Sequence, residues 1–160
     1  MTSQNKILRA VLLLLRLVIG GIFVYAAWIK LREPWMLFAI SIDAYGVLPE
    51  WAVTAVARVL PWFELAIGVL LIVGRFLRVS TVATTALLAV FFSLMVRAYI
   101  MHQTIDCGCF GPGEAISPLT MLRDGSLLAG SAFLAVMAFR RKRRVPQVEP
   151  EPSMAGQADA

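Results

Sequence analysis

Four long apolar stretches divide the chain, at residues 8–29, 53–74, 79–101 and 118–139, each bounded by charged, glycine or proline residues. A helix needs about 20 mainly apolar residues to cross the hydrocarbon core of a bilayer, so each stretch predicts one membrane span. The segments between them are short. Residues 74–78 leave so little chain that the second and third spans must be antiparallel neighbours. Within residues 30–50, Glu33 precedes Pro34, a helix-start signal with proline at the first helical position. The run "WMLFAISIDAYGVL" that follows is too short to cross, and predicts a short helix in or near the outer interface. Pro61 falls inside the second span, where a kinked helix starting near Ala52 fits better than one beginning at the proline. Ser117-Pro118 supplies a cap and a proline for the first turn of the fourth span. The pattern predicts an all-α integral membrane protein, a four-helix up-down bundle over residues 1–144. The remaining residues 145–160 have little to bury and are expected to be disordered.

Composition agrees with a lipid solvent, since 59% of the residues are hydrophobic and 16% charged. The net charge of +5 would suit nucleic acid, but its placement suits a membrane better. Lys6, Arg9, Arg75, Arg78 and residues 140–144 supply nine basic groups to one side of a four-span chain, against Lys30 and Arg32 on the other. That asymmetry predicts both termini in the cytoplasm and no nucleic-acid partner. Val24-Tyr25-Ala26 satisfies a small-residue cleavage rule, yet the apolar stretch is too long for a signal peptide and carries Arg16. A retained first helix is expected, with Gly20-Gly21 allowing close contact and Tyr25 and Trp28 at the headgroup level.

Ionisable groups inside spans are functional candidates because lipid penalises them. Counted from the apolar boundaries at 1.5 Å per residue, Arg16 and Glu64 both lie roughly 15 Å deep. Opposite charges at one depth predict an Arg16–Glu64 structural ion pair. Arg58, Arg97, Arg123 and Asp124 fall in the outer third, near the loop joining the third and fourth spans. Guanidinium groups there would stabilise a thiolate or bind the carbonyl of a quinone.

That loop, "HQTIDCGCFGPGEAISP", holds both cysteines and the single histidine of the chain. It lies on the outer face, where disulfides persist. A Cys107–Cys109 bond would close a ring of about eleven atoms, and short rings rarely reach relaxed torsions. Strain of that kind favours thiol–disulfide exchange, with Gly108 giving the backbone the freedom that closure needs. A metal site built from His102, Asp106, Cys107 and Cys109 is the competing reading, although zinc sites more often place two or more residues between paired cysteines. Two inert thiols is the third.

The stretches "GGIFVYAAWIKL" (residues 20–31), "AYGVLP" (44–49), "LPWFELAIGVLL" (60–71) and "DCGCFG" (106–111) together resemble DoxX-like membrane proteins, and within them the MauE branch. The resemblance covers roughly residues 7–139. It implies a four-helix protein of the bacterial inner membrane, with Cys107 and Cys109 as a redox pair and Glu64 as the motif acid. MauE relatives are associated with maturation of a disulfide-rich dehydrogenase subunit and with a thioredoxin-like partner, and DoxX relatives with quinone-linked oxidation.

These lines favour a membrane thiol-redox protein that exchanges a Cys107–Cys109 disulfide with a thioredoxin-like periplasmic partner or a dehydrogenase subunit. Quinone linkage is the cofactor expectation. A non-catalytic assembly subunit and an outer-face metal-binding protein are the alternatives. Motifs for nucleotide binding, haem attachment or serine hydrolysis are absent from the sequence.

Overall fold

A computed structural model describes residues 3–103, 105–108 and 115–140. Among them the chain forms five helices: α1 (Ser3–Arg32), α2 (Trp35–Asp43), α3 (Glu50–Val73), α4 (Leu77–Ile100) and α5 (Pro118–Arg140). Four are long and apolar enough to cross a membrane, and the chain is a multi-pass membrane protein. Large apolar side chains face outward along them, among them Leu14, Val59, Trp62, Val79 and Leu122. In water such a surface would aggregate, whereas against lipid tails it is the required exterior. The expected tail at residues 145–160 lies outside the described residues.

The spans begin and end within a few residues of their predicted limits, and the first is longer. It continues past Trp28 through Lys30 to Arg32, so both cations belong to the helix rather than to a loop. Pro34 stands just outside α2 as its N-terminal flanking residue instead of at the first helical position. Helix α3 runs unbroken through Pro61, which is buried. It stops at Gly74, whose φ of +80° is open to glycine at little cost and whose N–H bonds the Leu70 carbonyl.

Helices α1 and α3 are antiparallel and pack closely at Gly20 and Gly68. A Cβ placed on Gly20 would lie 3.0 Å from the Gly68 carbonyl oxygen, and one on Gly68 would lie 2.9 Å from that of Gly20. Helices α4 and α5 form a second antiparallel pair. Thr85 Oγ1 and Ser131 Oγ lie 3.2 Å apart across that seam, and Gly125 faces Phe92. Small hydroxylated residues suit such a seam because their hydroxyls are satisfied by carbonyls of their own helix. Thr84 bonds the Ser80 carbonyl in this way, and Thr85 that of Thr81. The two pairs meet around Ile19, Phe23, Ile67, Leu71 and Leu134. Close backbone approach runs α1–α3, α3–α4, α4–α5 and α5–α1, while the diagonal backbones stay farther apart and α1 and α4 meet through side chains, as at Lys30 and Phe91. That leaves space at the bundle centre.

Candidate functional site

The cysteine loop is tied down at its base. Asp106 and Ala115 form an isolated antiparallel bridge, and Ile116 N–H donates to the Ile105 carbonyl at 3.3 Å. Cys107 is 1% exposed, so its side chain is packed inside the protein. Gly108 takes a φ of +68°, in the region that disfavours a side chain, and a Cβ there would stand 3.2 Å from Ser41 Cβ and 3.6 Å from the Phe38 ring. Cys109 lies outside the described residues, and with it the Cys107–Cys109 pairing and the fourth ligand of the metal reading. Among the described residues no group of three His, Cys, Asp or Glu side chains is gathered for a metal ion.

The short outer helix is the platform for this motif. Phe38, Ser41 and Tyr45, spaced three and four residues apart, form the buried face of α2 and the turn after it. Tyr45 Oη donates to the Cys107 carbonyl at 3.3 Å, and Arg97 Nη1 donates to the Tyr45 carbonyl at 3.0 Å. Arg97 therefore supports the cysteine segment through Tyr45. The other two arginines expected near the thiols have different described partners. Arg58 stacks on the Trp35 ring at 4.3 Å, and Arg123 Nε donates to Asp124 Oδ1 at 3.0 Å on its own helix. His102 is exposed just beyond α4, with a φ of +52°.

The expected Arg16–Glu64 pair is not the one the protein makes. Lys30 Nζ donates to both carboxylate oxygens of Glu64, at 2.7 and 2.8 Å, and both residues are 5% exposed. The Gly20–Gly68 contact sets the register of α1 against α3. It brings Arg16 level with the end of α3, where its guanidinium lies against Gly74 and Nη2 reaches the Ile72 carbonyl at 3.3 Å. The last carbonyls of a helix have no intrahelical donor, and a cation among them satisfies both the hydrogen bond and the dipole. Arg16 thus caps α3, about two helical turns or more from Glu64 along the helix.

Lys30 and Glu64 do not stand in solid packing. Lys30 Nζ lies 4.9 Å from the centre of the Phe38 ring and 5.8 Å from that of Phe91. Both charged residues line a cleft at the bundle centre, with Phe23 of α1, Leu88, Phe91 and Phe92 of α4, and Asp124 of α5. Phe38 touches this pair on one side and Gly108 on the other, so one ring separates the buried charges from the cysteine motif.

The family described as "Methylamine utilisation protein MauE" matches residues 8–139. The chain belongs to the MauE family. It is 38% identical over 122 residues to the methylamine utilization protein MauE of Paracoccus denitrificans, covering 74% of this chain and 65% of the relative. To the MauE protein of Methylorubrum extorquens it is 30% identical over 113 residues, covering 69% of this chain and 60% of the relative. The match thus spans a little under two thirds of the length of these MauE relatives. No solved structure matches the chain. The match to MauE covers all four candidate spans almost completely, together with the cysteine loop and both members of the Lys30–Glu64 pair.

Proposed function

We propose that this MauE-family chain is a thiol-redox protein of the bacterial inner membrane that serves methylamine utilisation by exchanging a Cys107–Cys109 disulfide with a thioredoxin-like partner or a disulfide-rich client. The observation that carries the reading is the seating of Cys107 and Gly108 on α2. A loop merely closing a helical hairpin has no need of a positive-φ glycine pressed against a buried helix face, with a tyrosine and an arginine bracing it.

Burial of Cys107 sets the direction of the exchange. A thiolate of the partner attacks Cys109 Sγ, the Cys107–Cys109 bond breaks, and Cys107 leaves as a thiolate. A second partner thiolate then attacks the mixed disulfide. The partner gains its disulfide, and the chain holds two electrons as a dithiol. Return to the disulfide needs a two-electron acceptor, and for a protein among lipids a quinone-class molecule supplies that chemistry. With the cysteine loop on the periplasmic side and both termini cytoplasmic, the exchange occurs in the compartment where protein disulfides persist.

Mass-tagging of thiols in membranes from cells grown on methylamine tests the reading. Two populations, oxidised and reduced, that shift with added dithiothreitol are expected. A pair that stays reduced under all growth conditions overturns it. In Cys107→Ser no internal disulfide can form, and Cys109 attacking the disulfide of an oxidised partner gives a mixed disulfide that lacks its resolving thiol, so it should accumulate and identify the partner by mass spectrometry.

A further inference from the structure

We infer that Arg9 and Arg16 of α1, Arg75 of the α3–α4 turn and Arg78 of α4 form a binding site for the phosphate headgroup of an anionic phospholipid. The site stands at the end of the bundle opposite the cysteine loop, and it is independent of the thiol-redox reading.

The α1–α3 register brings Arg16 to the last turn of α3, where its guanidinium packs on Gly74. Arg9 precedes it by seven residues, which places both arginines on one face of α1, two turns apart. Between α3 and α4 the chain reverses through two residues of positive φ, Gly74 at +80° and Phe76 at +52°. Glycine adopts that conformation at little cost, but a phenylalanine is strained in it. The Phe76 ring is 68% exposed, next to the exposed Arg75. Arg78 is held at the same end by stacking on Phe139 of α5, with its guanidinium carbon 5.3 Å from the ring centre.

These four cations have no counter-ion among the described residues. Glu64 and Asp124 are the nearest carboxylates along α3 and α5, ten residues before Gly74 and fifteen before Phe139, and both are paired elsewhere. Of the five N–H donors of Arg16, one reaches the Ile72 carbonyl, and Nε is buried without a partner among the described residues. An anion supplies both the missing charge and the missing acceptors. Guanidinium groups pair with phosphate oxygens two at a time, which makes phosphate the fitting class.

Position favours a phospholipid over a soluble phosphate. Helix α3 has 24 residues, about 36 Å, so it covers a 30 Å hydrocarbon core and ends at headgroup level. Leu13, Leu17, Val73, Phe76 and Val79 are exposed beside the arginines and offer the apolar contact that acyl chains need. A headgroup held there would tie α1 to the α3–α4 turn.

The test is native mass spectrometry of the full chain released from nanodiscs in which phosphatidylglycerol replaces phosphatidylcholine stepwise. Saturable retention of phosphatidylglycerol is expected, with phosphatidylcholine failing to substitute for it. Arg75→Gln and Arg78→Gln should each weaken the apparent affinity about fivefold, and the double variant about 25-fold. Arg16→Lys keeps the charge without the planar fork and should lose less than Arg16→Gln. Arg32→Gln removes an equal charge from the other end of α1 and should change the affinity less than twofold. Equal losses in Arg32→Gln and Arg75→Gln would reduce the effect to net charge and overturn the site. Retention without saturation, or unchanged in the folded Arg75→Gln/Arg78→Gln variant, would overturn it as well. Displacement of the lipid by millimolar inorganic phosphate would assign the cluster to a soluble anion instead.

Discussion

Lys30 and Glu64, 34 residues apart in the chain, hold a two-point ion pair at 2.7 and 2.8 Å in the interior of the bundle. An ammonium and a carboxylate withdrawn from water stabilise each other only as a pair. Removing one partner leaves an isolated charge where nothing solvates it. Glu64→Gln or Lys30→Met alone should therefore lower stability by about 3–5 kcal/mol, whereas Lys30→Met/Glu64→Met should fall close to the wild type or above it. Denaturant unfolding in detergent micelles, monitored by circular dichroism, gives the comparison. A double variant as unstable as the singles would show that the charges are needed separately.

The α1–α3 seam makes a sharper steric forecast. Gly20→Ala and Gly68→Ala each place a methyl within 3.0 Å of the opposite backbone, so the helices must part. A loss of about 1–3 kcal/mol is expected. Gly21→Ala meets nothing within 4 Å and should leave stability unchanged or raise it slightly. Equal melting temperatures for Gly20→Ala and Gly21→Ala would contradict the seam.

Gly108→Ala strains a left-handed residue and crowds Ser41 at 3.2 Å. Penalties of about 1–2 kcal/mol apply to a side chain in that conformation. The segment should open more often, by a factor of roughly 5–30. In a Cys109→Ser background, the rate of maleimide modification of Cys107 should rise by that factor. An unchanged rate would mean that Gly108 does not hold Cys107 in place.

Two substitutions on the bracing residues should act in the same direction with different strength. Tyr45→Phe removes one neutral hydrogen bond to the Cys107 carbonyl, a change of about 0.5–1.5 kcal/mol. Arg97→Gln removes a charge-assisted bond to the Tyr45 carbonyl and should matter more, at about 1.5–3 kcal/mol. The same Cys107 modification rate reports both. A faster reaction in Tyr45→Phe than in Arg97→Gln would reverse the order and argue against Arg97 as the support.

Both termini are expected in the cytoplasm from the excess of basic residues that the sequence assigns to one side of the spans. A membrane-impermeant maleimide should modify His102→Cys, in a chain lacking the native cysteines, from outside intact cells. A phosphatase fused after Arg140 should be inactive, as expected of a cytoplasmic fusion. The opposite pair of results would place the cysteine loop in the cytosol and remove the basis for a persistent disulfide.

The spans were legible because lipid imposes a long, simple pattern, and the boundaries at Glu50, Leu77 and Pro118 follow from their glycine, proline and charged neighbours. The ion pair was not. Depth counting treated the first apolar residue as the membrane edge, but α1 is 30 residues long, about 45 Å, and extends beyond a 30 Å core. Its register against α3 is fixed by two glycines in contact, and a sequence names the glycines without naming which ones meet. Lys30 looked like a loop cation because it follows Trp28. Helix propensity carries the chain on to Arg32, and the long lysine stem reaches Glu64 from there.

The cysteine motif was visible, and its support was hidden in ordinary residues. Phe38, Ser41 and Tyr45 recur with helical spacing, which marks a buried face, but nothing local says what that face covers. Likewise Arg97 reads as a span-end cation until the Tyr45 carbonyl is seen beside it.

The glycine contact between α1 and α3 also has a mechanical consequence. Backbones that touch cannot be squeezed further, and the α4–α5 pair, with Thr85 against Ser131 and Gly125 against Phe92, is similarly tight. The bundle behaves as two stiff ribs joined along softer seams. Any widening of the central space must come from one rib swinging against the other. Phe38, resting on Lys30 of the first rib and on Gly108 beside Cys107, would feel that swing first.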